Sequence, residues 1–178
     1  MPISTELFEA IKQKYGCMSS WAIWEEMLPH LLHTNTILVG YNISKKIITP
    51  FGNFHEGKND YRIKDAIKGT LFEGSYMTDV IKDFEEKSSG KMEQYLKENP
   101  EFLKENISSF IKELEFIGAK NPILIAFGDH CYKLLKTHLP KYNVLKVLHY
   151  SSFTKNEVRR AEILEKENDV KNILNIPV

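Results

Sequence analysis

Two short polar stretches, each directly after an apolar run, hold the residue types best suited to chemistry. The first is Gly40-Tyr41-Asn42-Ile43-Ser44 and the second is His149-Tyr150-Ser151-Ser152-Phe153-Thr154. A glycine leaving a buried strand permits a sharp turn that brings backbone amides and the next polar side chain close to a ligand. On that reading Asn42 points into a cleft; on the competing one its amide only bonds its own loop, as asparagine does in turns. In the second stretch, Thr154 with Glu157 three residues later has the pattern of a capping box, so helix initiation explains part of it. It does not explain His149, whose neutral imidazole N–H could donate to a carbonyl oxygen acquiring negative charge.

Other reactive residue types are sparse. Gly128-Asp129-His130-Cys131 sets a thiol beside an imidazole, but Asp129 reads as a helix N-cap and Cys131 as a core-facing residue of that helix. Cys17 and Cys131 are the only cysteines, far apart and in no CxxC pairing, which excludes a disulfide framework and a four-thiolate zinc or iron–sulfur site. The six histidines form no HExxH or other compact ligand spacing, so no metal is expected. With neither GxGxxG nor a P-loop in the chain, no cofactor is expected either.

These residues need elements to position them. Four short apolar runs read as strands: residues 36–39, 76–81, 123–127 and 144–148, each too short for a helix and flanked by turn or polar residues. Helical spacing predicts helices over 4–14, 19–32, 60–69, 91–98, 101–117, 130–138 and 155–168. The clearest, 101–117, repeats Phe102, Leu103, Ile107, Phe110, Ile111 and Leu114 along one face, while Trp21, Ile23, Trp24 and Leu28 read as the apolar stripe of the 19–32 helix. Strands alternating with helices predict an α/β fold of three layers, α/β/α, around a central four-stranded parallel sheet. Ligands of such sheets bind beyond the carboxyl ends of the strands, that is, after Val39, Ile81, Phe127 and Leu148. No repeat or composition break divides the chain. One domain over 1–178 is expected, with 1–34 as an N-terminal helical packing segment, 35–160 as the core and 161–178 as a C-terminal helix and tail.

Composition bounds the function. A chain of 178 residues, 42% of them hydrophobic, has enough apolar content for one real core. Lys plus Arg and Asp plus Glu are 24 each, so average charge provides no long-range attraction to a polyanion. Local charge remains, since Lys45-Lys46 and Lys155 with Arg159-Arg160 adjoin the two polar stretches. Residues 1–16 mix acids and bases without an apolar signal core, and no apolar run approaches the roughly 18 residues of a membrane span. A cytoplasmic monomer with no membrane partner is therefore expected.

Together the two stretches resemble the motifs of the uracil-DNA glycosylase superfamily, over about residues 36–160. That superfamily's first motif runs glycine, a variable residue, then Asp or Asn. Gly40 and Asn42 match it in the Asn form of the mismatch-specific and single-strand-selective branches, and Phe54 stands where a base-stacking aromatic follows. His149, Ser151, Phe153 and Thr154 match the second motif, His-Pro-Ser-Pro-Leu-Ser in its best-known form. Gly74-Ser75-Tyr76-Met77-Thr78-Asp79 resembles the middle strand that supplies an Asn reading the base edge. The departures are Ile43, Tyr150 and Ser152 in place of prolines, and Asp79 in place of the base-reading Asn. An ionised Asp79 accepts from an N–H but repels the O4 carbonyl of uracil, which suits a base bearing an amino group.

The resemblance implies hydrolysis of the N-glycosidic bond of a flipped-out uracil or other deaminated or modified base in base-excision repair. Asn42 would orient the attacking water weakly, because a neutral amide cannot take a full proton at neutral pH, and His149 would stabilise the departing base. Tyr41, Phe54 and Asp79 would bind the base. Lys45, Lys46, Ser151, Ser152, Phe153 and Lys155 would contact DNA, the implied partner, with Phe153 wedged into the vacated site. Two other readings compete: a non-catalytic module binding a nucleotide, a modified base or a protein on the same fold, and a hydrolase of small nucleosides. A positive rim formed by Lys45, Lys46, Lys155, Arg159 and Arg160 favours a polymer, and a neutral mouth favours a small ligand.

Overall fold

Strands that must be covered on both faces need apolar side chains at every position. Ile37-Leu38-Val39 and Ile123-Leu124-Ile125-Ala126-Phe127 supply them, and all eight are buried. The computed structural model describes residues 2–25, 27–82 and 84–176. Among these residues the strands are β1 (Ser19–Trp21), β2 (His33–Asn42), β3 (Ser75–Ile81), β4 (Ile123–Phe127) and β5 (Val144–Val147). The α-helices are α1 (Thr5–Tyr15), α2 (Tyr61–Ile67), α3 (Ser89–Glu98), α4 (Pro100–Phe116), α5 (Gly128–His138) and α6 (Asn156–Leu174). The sheet runs β1-β3-β2-β4-β5, with β2 to β5 parallel and β1 antiparallel on the outer edge of β3.

Alternation along the strands builds two cores. Ile37, Val39 and Tyr41 of β2 belong to one, with Phe8 and Ile11 of α1, Met92 of α3, Phe110 and Leu114 of α4 and Leu135 of α5. Leu38, Met77, Ile125 and Phe127 belong to the other, with Ile63 and Ile67 of α2 and Ile163 and Val170 of α6. The protein is thus an α/β fold with a mostly parallel sheet. No helix among the described residues is long and apolar enough to cross a membrane.

The sheet has five strands rather than the four expected, and the difference lies in residues 19–32. Instead of a helix, Ser19-Ser20-Trp21 forms β1, paired with Thr78, Met77 and Tyr76, and residues 29–31 make one 3-10 turn. Trp21 is fully buried with its ring edge-on to Tyr76 at 4.9 Å, so its apolar role holds on a different element. The segment 1–34 therefore contributes an edge strand as well as a helix. A three-residue strand whose partner lies more than fifty residues away leaves no periodicity to read.

Two expected caps also differ. α6 starts behind Lys155, and the Thr154 hydroxyl lies 3.3 Å from that of Ser152, so the Thr154–Glu157 capping box is not formed. The N-cap of α5 is Phe127, and Asp129 sits in its first turn, where it pairs with Lys146 at 2.7 Å. Cys131 faces the core as expected, its Sγ 3.3 Å from the Val39 carbonyl.

One buried polar group ties α4 to the strand that carries Asp79. Glu113 is fully buried and accepts hydrogen bonds from the Tyr76 hydroxyl at 2.8 Å and the Thr78 hydroxyl at 2.9 Å, with Lys82 Nζ 2.6 Å from its other oxygen. Buried charges persist when paired and hydrogen-bonded in this way. Lys82 Nζ also donates to the Asp79 carbonyl, which fixes the end of β3.

Candidate active site

β2, β3, β4 and β5 present their carboxyl ends on one edge of the sheet, and a cleft of about 830 Å³ opens there. That volume lies within the range of small-molecule sites. Gly40, Tyr41 and Asn42 line it from β2, Asp79 from β3 and His149 to Ser152 from the loop after β5. A second hollow of about 410 Å³, near Trp24, Leu31 and Lys64, includes none of the expected site residues.

Gly40 sits inside β2 opposite Asp79, not in a turn. A Cβ there would lie 2.1 Å from Asp79 Oδ1 and 3.0 Å from Phe54 Cζ. The glycine is required for room, and the expected sharp turn is absent because β2 continues through Asn42.

Asn42 is half-buried at the end of β2, and both of the readings open to it are partly met. Its Nδ2 donates to the carbonyls of Ile43 at 3.1 Å and Glu86 at 2.6 Å. Two carbonyl partners fix which end of the amide is NH₂. Oδ1, without a partner among the described residues, is the acceptor left over.

Asp79 is 4% exposed. Its Oδ2 accepts from Asn53 Nδ2 at 2.8 Å, and Asn53 also donates to the Met18 carbonyl and accepts from the Phe54 N–H. Asp79 Oδ1 lies over Gly40 with no hydrogen-bond partner among the described residues. Burial pushes the carboxyl up to about 6, against the lowering effects of the Asn53 hydrogen bond and Lys82. At neutral pH it is mainly ionised and therefore accepts only.

His149 has a fixed tautomer. Its Nδ1 accepts from the Ser151 backbone N–H at 3.2 Å and lies 2.7 Å from the Ser151 hydroxyl, so the neutral ring carries its proton on Nε2. Burial, then the nearby Arg159 charge, holds its pKa below the ordinary histidine value. The loop is gripped from two helices. Arg159 of α6, 3% exposed, donates to the carbonyls of His149 at 3.0 Å and Ser152 at 3.2 Å, and Arg62 of α2 donates to Ser152 O at 3.2 Å. Tyr150 stacks on His149 at 4.4 Å and meets Phe127 edge-on at 5.4 Å.

The remaining expected residues divide. Tyr41 lines the cleft and is buried. Phe54 does not line it: at 4% exposure it packs beneath the floor, 6.2 Å from Phe127 and 6.1 Å from Tyr150, with its backbone in the left-handed region at φ 63°. Phe54 is thus taken up by core packing rather than the stacking position expected for it, and the aromatics that line the cleft are Tyr41, Phe127 and Tyr150. Phe153 is fully exposed at the loop tip. Lys46, Ser151 and Lys155 are also exposed, Ser152 is half-buried, and Lys45 lies 3.5 Å from Glu56. Sequence reasoning missed Asn53 and Asp60 as site residues and gave Tyr150, within the second stretch, no role of its own; the Asx-type loop Gly52-Asn53-Phe54 was the signal for the first.

Among the described residues no group of three or more His, Cys, Asp or Glu side chains could hold a metal ion. No family model, curated protein or solved structure matches this chain.

Proposed function

We propose that this chain hydrolyses the N-glycosidic bond of a nucleotide whose base enters the cleft, on a fold of uracil-DNA glycosylase type and in the service of base-excision repair. One observation carries the reading. Asn42 and His149 line the same cleft with complementary groups, an amide Oδ1 left as acceptor and an imidazole held as an Nε2–H donor. Oδ1 of Asn42 accepts a hydrogen bond from water and turns its lone pair toward the sugar carbon. The bond from that carbon to the base nitrogen breaks, and its electron pair leaves with the base. His149 Nε2–H donates to the base oxygen that takes up the charge, and the water proton passes to solvent. Since an amide is no base, most of the rate gain comes from the preorganised donor, worth about 2.7–4 kcal/mol. Phe153 at the tip of the His149 loop, with Lys46, Ser151, Ser152 and Lys155, supplies the DNA-facing surface of this reading.

Charge favours a second reading, a nucleoside or nucleotide rather than a polymer. Of the five cations that would form a positive rim, Arg159 is buried on the loop, Arg160 donates to the Ala66 carbonyl at 2.6 Å, and Lys45 adjoins Glu56. Single-turnover base release on DNA and on free nucleotides, across uracil, hypoxanthine, xanthine, mismatched and amino-bearing bases, tests both. His149→Ala is expected to slow release by roughly 10²–10³-fold with ligand affinity nearly intact. A wild type that releases no base from any substrate, yet binds a nucleotide or protein tightly, would make the cleft a binding module instead.

A further inference from the structure

The buried charges of the cleft are all carboxylates, whereas its rim mixes lysines with exposed Asp129 and half-buried Glu86. Of its lining residues, Gly40, Tyr41, Asp60, Asp79, Phe127 and Val147 are buried, and the only charged groups among these six are carboxylates. The lining lysines, Lys58, Lys87 and Lys146, are all exposed. Lys146 is paired with Asp129, whereas Lys58 and Lys87 have no carboxylate within 4 Å among the described residues. A nucleotide can match both levels, with an aromatic base for the deep floor and an anionic phosphate for the two lysines at the mouth that have no carboxylate partner.

The floor also selects an edge of that base. Asp79 is 4% exposed, one oxygen is already taken by Asn53, and Oδ1 lies unpartnered over Gly40 at the cleft. Asp60 adds a second carboxylate, 6% exposed, held by the Gly57 N–H at 2.6 Å. An ionised carboxylate has acceptor capacity only, and leaving it buried without a donor is costly, so a ligand N–H gains where a ligand carbonyl is repelled. We infer that the cleft takes a nucleotide whose base presents an exocyclic amino group to Asp79, with its phosphate toward Lys58 and Lys87. This rests on the base-binding reading of the cleft, and it makes a carbonyl-edged base such as uracil the disfavoured ligand.

Equilibrium binding of matched pairs tests it without requiring turnover. Cytidine and uridine monophosphates, and adenosine and inosine monophosphates, are titrated into the protein at pH 8, where Asp79 is ionised. The amino-bearing member of each pair is expected to bind at least tenfold more tightly, and Asp79→Asn, which adds a donor at the same volume, is expected to abolish or invert the preference. For wild-type protein, lowering the pH below 6 should narrow it as the Asp79 carboxyl gains a proton. Equal affinity within each pair, tighter binding of uridine or inosine, or no binding of any of the four at millimolar concentration would overturn the inference. Amino preference without base release on any substrate would sink the hydrolase reading and leave this one standing; base release with no amino preference would do the reverse.

Discussion

At the scale of single residues, the site depends on what is missing as much as on what is present. Gly40 faces Asp79 across the β2–β3 ladder, and its hydrogen in place of a methyl lets the carboxylate reach the cleft. Gly40→Ala therefore inserts a Cβ against a buried carboxylate and the Phe54 ring, an overpacking worth typically 1–3 kcal/mol. A drop of that size in urea-unfolding free energy, with nucleotide binding lost even at temperatures where the variant stays folded, is the expected outcome. Unchanged binding would show that the Asp79 carboxylate is not read by the ligand. Asn42 illustrates a different economy: two loop carbonyls satisfy its NH₂, and the same bonds aim its oxygen.

At the scale of elements, the loop after β5 is held by arginine hydrogen bonds from α2 and α6, with Tyr150 and Ser152 at positions where the motif of the proposed glycosylase reading has prolines. A proline ring fixes backbone angles in the chain itself, whereas these carbonyls depend on helices packed nearby. Arg159→Met keeps most of the buried volume but removes donors to His149 and Ser152, and hydrogen bonds to a charged group contribute about 1.5–3 kcal/mol. Arg159 also repels the protonated imidazole, so its removal should raise the pKa of His149 toward the ordinary value. Following the His149 ring by NMR through a pH titration measures this directly; a merely structural role for Arg159 would lower the melting temperature and leave that titration where it was.

At the scale of the whole molecule, pH acts through buried groups of opposite sign. His33, His55 and His149 are held below the ordinary histidine pKa, in each case first by burial. The unfolded chain therefore binds more protons as pH falls through about 6.5, and their contribution to stability is full above that pH and lost below it. Asp79 works the other way. Its carboxyl rises from 3.8 to about 6 on folding, so the cost of ionising it is absent at pH 3.5, grows up to about pH 6 and is constant above. Between pH 7 and pH 5 the histidines lower stability as they gain protons while Asp79 raises it, so urea stability is expected to fall more steeply with decreasing pH in Asp79→Asn than in the wild type. Asp79→Asn should add on the order of 3 kcal/mol at pH 8 and almost nothing at pH 3.5. Equal effects of that substitution at both values would mean that Asp79 is not the group carrying the cost.

The α/β class, the four parallel strands and the edge of the sheet where polar residues gather were legible in the sequence. Buried parallel strands need unbroken apolar runs, and the runs at 36–39 and 123–127 have few other uses. The same logic marked His149, because a histidine ending such a run stands at the ligand edge. Tertiary structure alone decided the rest. β1 exists because Ser19-Ser20-Trp21 meets a partner strand far along the chain, while its own spacing fits a helix. Phe54 went under the floor and Tyr150 to the cleft because the space beside Gly40 is shared between a ring and a carboxylate, and no local pattern records how it is divided. The inward turn of Arg159 onto its own preceding loop and of Arg160 onto the Ala66 carbonyl of α2 likewise follows from docking, and it takes both arginines out of the positive rim that would favour a polymer. Local pattern names which residues prefer burial or a strand; which two distant groups compete for one space is fixed only when the helices dock on the sheet.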